Sequence, residues 1–366
     1  MEIRSSALRT NYRRVRTIVG SRPGILPVVK ADGYGLGMRR VVETLEPLGP
    51  WGYGVETVGE GMALRSYGID RPVLVMAPIP PSEVDRAVAA GMRLSISSPG
   101  AVEHVARAAR RAGRRAHIHV EIDTGMGRAG LDWRRADEWG ARLRAANDGE
   151  IEWEGVYTHF HSAADLGSRA IFEQVERFRA ALGELRRRGP GRWMEHMCNS
   201  SGLVRSPELA SDLVRPGIFL YGARRWPGVE DPESVVTVRS RVVLVRDVPV
   251  GTTLGYGATY TSSRHERWAT VAIGYGDGIP RALGSGGEVI VGGRRVPIIG
   301  RISMGMTVVD ITGVPGPSAG VGAQVTIVGE DGGERITLTD VARVSGTITH
   351  EILTRLSPRL PRVWLP

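Results

Sequence analysis

Residues 25–35 read Ile25-Leu26-Pro27-Val28-Val29-Lys30-Ala31-Asp32-Gly33-Tyr34-Gly35. The apolar run from Ile25 to Val29 predicts a strand buried on both faces. The Gly33-Tyr34-Gly35 turn ends it and leaves Lys30 at the strand's C-terminal lip. Of the 48 lysines and arginines in the chain, only Lys30 is a lysine. A guanidinium keeps its proton, whereas an amine can lose one and attack a carbonyl to form a Schiff base. A chain that uses arginine for every other basic residue and keeps one amine at a strand end points to that chemistry, not to a solvated surface charge.

Working outward, further apolar runs cover 51–55, 73–77, 93–96, 117–122, 155–159, 194–198 and 213–218, which with 26–30 gives eight strand candidates. Between them, over 59–67, 82–90, 101–112, 133–146 and 168–188, apolar residues recur at the three- and four-residue spacing of amphipathic helices. Eight strands alternating with helices within about 225 residues predict an α/β fold of the (β/α)8 TIM-like barrel type, not an open sheet. Chemistry in such a barrel sits at strand C-termini, where Lys30, His159, Asn199 and Arg215 all fall. The texture then changes. Short β-branched runs at 235–248, 269–273, 288–291, 296–298, 306–311 and 324–328 are separated by Gly/Pro turns. They predict an all-β C-terminal domain over 233–366 behind a barrel over 1–232.

With 42% apolar and 24% charged residues, the 366-residue chain has ordinary globular composition. Its net charge of +9 raises nucleic acid as a partner. The arginines, however, are scattered at helical spacing without the aromatic interleaving of a stacking groove, so no nucleic-acid role is expected. A single cysteine, Cys198, excludes an internal disulfide framework and fits a reducing compartment. The first 20 residues are arginine-rich with no apolar core, and no later run approaches ~18 apolar residues. The expectation is a cytoplasmic protein with no signal peptide and no membrane span. No metal site is expected.

A lysine Schiff base needs an aldehyde, and pyridoxal 5′-phosphate is the cofactor that turns such a bond into an electron sink. Its phosphate needs backbone N–H groups and hydroxyls after the last barrel strands. Asn199-Ser200-Ser201-Gly202 and Arg215-Pro216-Gly217-Ile218 offer both.

The segments VVKADGYG (28–35), EIDTGMGRAG (121–130), THF (158–160), NSSG (199–202), VRPGI (214–218) with LYG (220–222), LGYGATYTS (254–262), IGYGDG (273–278) and GRISM (300–304) occur in one order. In that order they resemble the signature segments of the alanine racemase family, nearly end to end. The resemblance implies a pyridoxal-phosphate-binding barrel followed by a β domain. It implies Lys30 as the Schiff-base lysine and acid/base on one substrate face and Tyr256 as the base on the other, since racemisation needs one group to take the α-proton and another to return one. A free tyrosine titrates near ~10, and the family's help for it matches His159 and Arg215. Arg215 is also implied at the pyridine nitrogen, with His196 holding it. Tyr34, Ser200, Gly217 and Ile218 match phosphate contacts. Arg128 and the Met304 backbone N–H match substrate-carboxylate contacts, and Tyr275, Arg281 and Arg301 match the access channel. Tyr256 and Met304 reach the cofactor from the other subunit in the family, which implies a homodimer with composite sites.

The chain departs from the pattern at several positions. Glu121 stands where many members have a lysine carried as a carbamate; its carboxylate is expected to orient Arg128 without carbon dioxide. Gly305 replaces a usual aspartate, Ser303 a frequent cysteine, and Leu36 a common histidine. Pro358 stands at a tyrosine that contacts the phosphate. The expected activity is interconversion of L- and D-alanine, supplying D-alanine for peptidoglycan. Gly305 keeps racemisation of serine or of several small amino acids open. A decarboxylase of the same architecture is a more remote alternative, because it would lack the segment that carries Tyr256.

Overall fold

The structure is a computed structural model that describes residues 1–145, 149–187, 192–224, 226 and 228–366. The last predicted residues of two helices, 146 and 188, lie outside the described residues.

The eight predicted strand segments close into a parallel ring. Six form one sheet in the order Tyr53–Val55, Val73–Val75, Arg93–Ile96, Ala116–Asp123, Ile151–Tyr157 and Met194–His196. Leu213–Val214 and Gly24–Ile25 form a parallel pair. Bridges between Val28 and Gly54, and between Asn199 and Arg215, join the two arcs. Val73, Leu74 and Val75 are all fully buried, as expected of strands covered on both faces. The first strand is shorter than the apolar run suggests, because Pro27 has no N–H to give the ladder. The eighth ends at Val214, ahead of Pro216, for the same reason.

Beyond the lip of the first strand the backbone turns left-handed. Ala31, Asp32, Gly33 and Tyr34 all have φ between 52° and 63°. For residues with a Cβ this conformation costs roughly 1–2 kcal/mol each, so neighbouring groups must hold it. Glu60 accepts from the Ala31 N–H (2.7 Å), the Asp32 carboxylate accepts from the Met38 N–H (2.8 Å), and Gly33 and Gly35 donate back to Val29 and Ala31 at 2.8 Å each.

In the C-terminal region the long strand Val236–Val248 pairs along its first half with Gln324–Asp331 and along its second with Glu266–Val271. Through Thr307–Asp310, Arg294–Ile299 and Glu288–Val291 this closes a six-stranded antiparallel barrel. Register shifts near Val238 and Val242 let one strand serve both neighbours. Two features lie outside the sequence reading. Glu2–Arg4 hydrogen-bonds into this C-terminal sheet, beside Val236–Val248 and Val363–Leu365. Two short helices, Leu338–Val344 and Thr349–Arg355, follow the strands. The second sits against the Lys30 turn: a Cβ on Gly35 would lie 2.5 Å from the Leu353 carbonyl.

Candidate active site

A cavity of about 460 Å³ opens at the C-terminal ends of the barrel strands. Of the residues expected there, Lys30, Tyr34, Glu121, Arg128, His159, Asn199, Ser200, Arg215, Gly217 and Ile218 all line it. His196 does not; it lies fully buried directly behind Arg215.

Lys30 enters from the left-handed turn, and its Nζ donates to Glu56 Oε2 at 2.6 Å. On the adjacent wall the buried Tyr34 ring stacks on Tyr221 at 4.3 Å, and burial pushes its phenol above the ordinary range. A Cβ on Gly217 would lie 2.2 Å from the Tyr34 hydroxyl, so only glycine lets the backbone come this close. Ser200 Oγ accepts from the Gly217 N–H (2.9 Å) and the Phe219 N–H (3.3 Å), which ties the two phosphate-binding candidates to each other. Asn199 caps the helix Ser200–Arg205 by accepting from the Gly202 N–H, while its amide nitrogen contacts His159 Nε2 at 3.4 Å.

At the floor lies Arg215, 3% exposed. Its Nη1 donates to His196 Nδ1 (2.9 Å) and the His196 carbonyl (2.8 Å), and its Nη2 to the carbonyls of Thr158 (2.8 Å) and Met197 (3.3 Å). Of its five donors, only the Nε–H has no partner among the described residues. His159 is pushed down to about 3 by burial and then by the charges of Arg215, Arg128 and Lys30, so it is a neutral imidazole near pH 7.

The expected pairing of Glu121 with Arg128 is not a direct hydrogen bond. Glu121 is buried and accepts from Ser97 Oγ at 3.2 Å, and burial pushes its carboxyl up. Arg128 follows a loop shaped by Asp123, which accepts from the N–H groups of Gly125 and Gly127, and acts on Glu121 through space.

Tyr256, Tyr275 and Met304 are elsewhere. They are 69%, 41% and 59% exposed on the C-terminal region, and none lines the cavity. They share one surface. The loop carrying Met304 accepts from the N–H groups of Tyr275 and Gly276, and Arg301 lies against the Tyr256 turn near Gly257. Among the wall residues that escaped the sequence reading are Glu56, Arg224 and His350. Glu56 carried a weak signal, four residues before the capping glutamate Glu60 whose carboxylate its N–H meets at 2.8 Å. Arg224 and His350 carried none.

The residues fit pyridoxal 5′-phosphate. The cavity has the volume of a small-molecule site. It presents one primary amine, a guanidinium with a spare N–H, and a backbone cradle at Gly217 that a side chain would fill.

Comparison with known proteins agrees. The model of the alanine racemase N-terminal domain matches residues 3–225, and that of the C-terminal domain matches 235–364. An alanine racemase of Symbiobacterium thermophilum is 36% identical over 367 residues, 99% of this chain and 96% of its own. Alanine racemase from the D-cycloserine producer Streptomyces lavendulae superposes with a TM-score of 0.93 at 32% identity, covering 100% of this chain and 96% of that one. Alanine racemase from Bartonella henselae, solved with covalently bound pyridoxal phosphate, gives 0.90 at 26% identity, covering 100% and 98%. By its sequence over both domains and by its fold, the chain belongs to the alanine racemase family.

Proposed function

We propose that this chain interconverts L- and D-alanine with two bases drawn from two copies of itself, Lys30 of one subunit and Tyr256 of the partner subunit. Alanine racemase activity and dependence on pyridoxal phosphate belong to the family; the roles of individual residues are the proposal. One observation carries it. Lys30 lies in the cavity, whereas Tyr256 stands 69% exposed on a surface that does not border it, so a second copy must bring the tyrosine in.

When bound, pyridoxal phosphate supplies the conjugated ring that makes an amino acid's α-proton acidic. Lys30 holds the cofactor and works on one face of the substrate, while Tyr256 of the partner subunit works on the other. His159, kept neutral, accepts the tyrosine's hydrogen bond, and the cations behind it favour loss of the phenol proton. Arg215 presents its spare Nε–H toward the cofactor ring and never gives the proton up, which tempers the electron demand and favours proton exchange over loss of the amino group. Tyr34, Asn199, Ser200, Gly217 and Ile218 hold the phosphate. Arg128, oriented by Glu121, and the Met304 N–H of the partner subunit position the substrate carboxylate, with Tyr275 at the access route. The product supplies D-alanine to peptidoglycan, and we assign the protein to the cytoplasm. Among the described residues no helix is long and apolar enough to cross a membrane.

Mixing two inactive variants, Lys30→Ala and Tyr256→Phe, tests the composite site. If each site takes its lysine and tyrosine from different subunits, every mixed dimer keeps one intact site. Random reassortment then restores about a quarter of normal activity. No recovery after verified subunit exchange would place both bases in one chain and overturn the proposal.

A further inference from the structure

Below the cavity floor, polar side chains run down the barrel interior. Arg215 Nη1 meets His196 Nδ1 at 2.9 Å, His196 Nε2 meets His119 Nδ1 at 2.8 Å, and His119 Nε2 meets Glu154 Oε2 at 3.0 Å. Arg215, His196 and His119 are buried. Arg93 grips Glu154 from below, Nε to Oε2 at 3.0 Å and Nη2 to Oε1 at 3.2 Å. A Cβ at position 155 would stand 2.3 Å from His119 Nδ1, so Gly155 makes room for this ring.

The proton positions follow from the two ends. A guanidinium only donates, so His196 Nδ1 is bare and its proton is on Nε2. That proton needs a bare His119 Nδ1, which puts the His119 proton on Nε2, facing Glu154. An ionised carboxylate only accepts, so the far end enforces the same direction. Burial raises the Glu154 carboxyl, but hydrogen bonds from His119 and Arg93 outweigh it and hold it at about 2, so it is charged.

The charge balance gives this chain a purpose. Burying a guanidinium away from any carboxylate is costly. Among the described residues Arg215 makes no direct ion pair; Glu121 acts on it through space across the cavity, but burial pushes that carboxyl toward its neutral form. The remaining negative charge in line with Arg215 is Glu154, two imidazoles away.

We propose that Glu154 is the relayed counter-ion of Arg215: acting through His119 and His196, it closes the Nε2–H chain that Arg215 directs and fixes the guanidinium so that its Nε–H stays free for the cofactor. Glu154 and His119 are thus positioning residues for the reaction, placed at the opposite end of the barrel from the substrate. The inference rests on the assignment of Arg215 to the cofactor made above.

The test uses the full-length loaded enzyme with 15N-labelled histidine. Glu154→Gln removes the charge, while Arg215 still sets the direction of the chain from its own end and the amide oxygen can still accept from the His119 Nε2–H. His119 and His196 should keep the Nε2–H tautomer while the His196 Nδ1 resonance moves as Arg215 loses its relayed counter-charge, the bound cofactor's absorbance should shift, and kcat should fall about tenfold with KM nearly unchanged, the scale typical of outer partners that orient a reacting group. Arg93→Gln removes the grip but leaves the carboxylate, and should keep wild-type tautomers and absorbance. Melting curves confirm that both variants are folded. An unmoved His196 Nδ1 resonance in Glu154→Gln, or an Arg93→Gln variant that reproduces every effect, would overturn the proposal. A moved His196 Nδ1 resonance with unchanged cofactor absorbance would instead sink the Arg215 assignment and leave the relay standing.

Discussion

The barrel floor and the Tyr256 surface are built on opposite plans. At the floor Arg215 is 3% exposed and four of its five donors are used, each partner fixing the next down to Arg93. On the C-terminal region Tyr256 sits in the turn Tyr256–Ala258, 69% exposed, with Ala258 at φ 45° and glycines on both sides. One half of the site is finished inside the folded chain; the other is presented for completion by a second chain. Cofactor binding and fold stability should therefore follow the floor, and turnover should follow both.

The largest expected effect comes from Lys30→Ala. It should remove the cofactor's protein-bound absorbance and lower racemisation by ~10⁴-fold or more, read by chiral analysis of alanine. Next, Tyr256→Phe should lower racemisation by about 10²–10⁴-fold, yet leave the melting curve and the cofactor absorbance intact. A variant that lost the cofactor would erase the distinction between the two regions.

Acid should strike the floor first. Burial depresses His119, His159 and His196 below the ordinary 6.5, with His159 at about 3. The unfolded chain then binds more protons than the folded one between those values, so stability is full above about pH 6.5 and falls as pH drops toward 3. Denaturant midpoints should hold from pH 8 to about pH 6.5 and then decrease toward pH 4, and a profile flat down to pH 4 would contradict the neutral histidines.

A smaller effect is expected at Gly305, where an added Cβ would meet open space in the single chain. Gly305→Asp should fold normally and lower serine turnover relative to alanine several-fold, measured as α-proton exchange in deuterated solvent. An unchanged ratio would remove this position from substrate choice. For Glu121 the expected effect is none: depleting bicarbonate should leave the rate unaltered, because a permanent carboxylate needs no carbon dioxide.

Much of this was legible in the chain because buried parallel strands announce themselves. Val73-Leu74-Val75 and the run into Lys30 need no partner information to be read as strands. The single lysine marked the cofactor end for a chemical reason, and ordered segments located the rest of the cavity. What could not be read are the long-range meetings. Glu154 and His119 are 35 residues apart and His119 and His196 are 77 apart, and each alone reads as an ordinary polar residue in a strand. Arg224 and His350 reach the cavity from loop and helix positions with no periodic signature. The helix Leu338–Val344 was readable in principle, since Thr337 and Asp340 form a capping box, but the β-branched texture around it masked the signal.

The strand Glu2–Arg4 carries a consequence for timing. Its residues pair with Thr237 and Val236 on one side and with Val363 and Leu365 on the other. The long loops so closed are among the slowest contacts to form. The barrel's local β–α units can assemble during synthesis, but Glu2–Arg4 must wait for residues 236–237 and 363–365. Nascent chains halted before residue 236 should therefore leave Glu2–Arg4 open to protease.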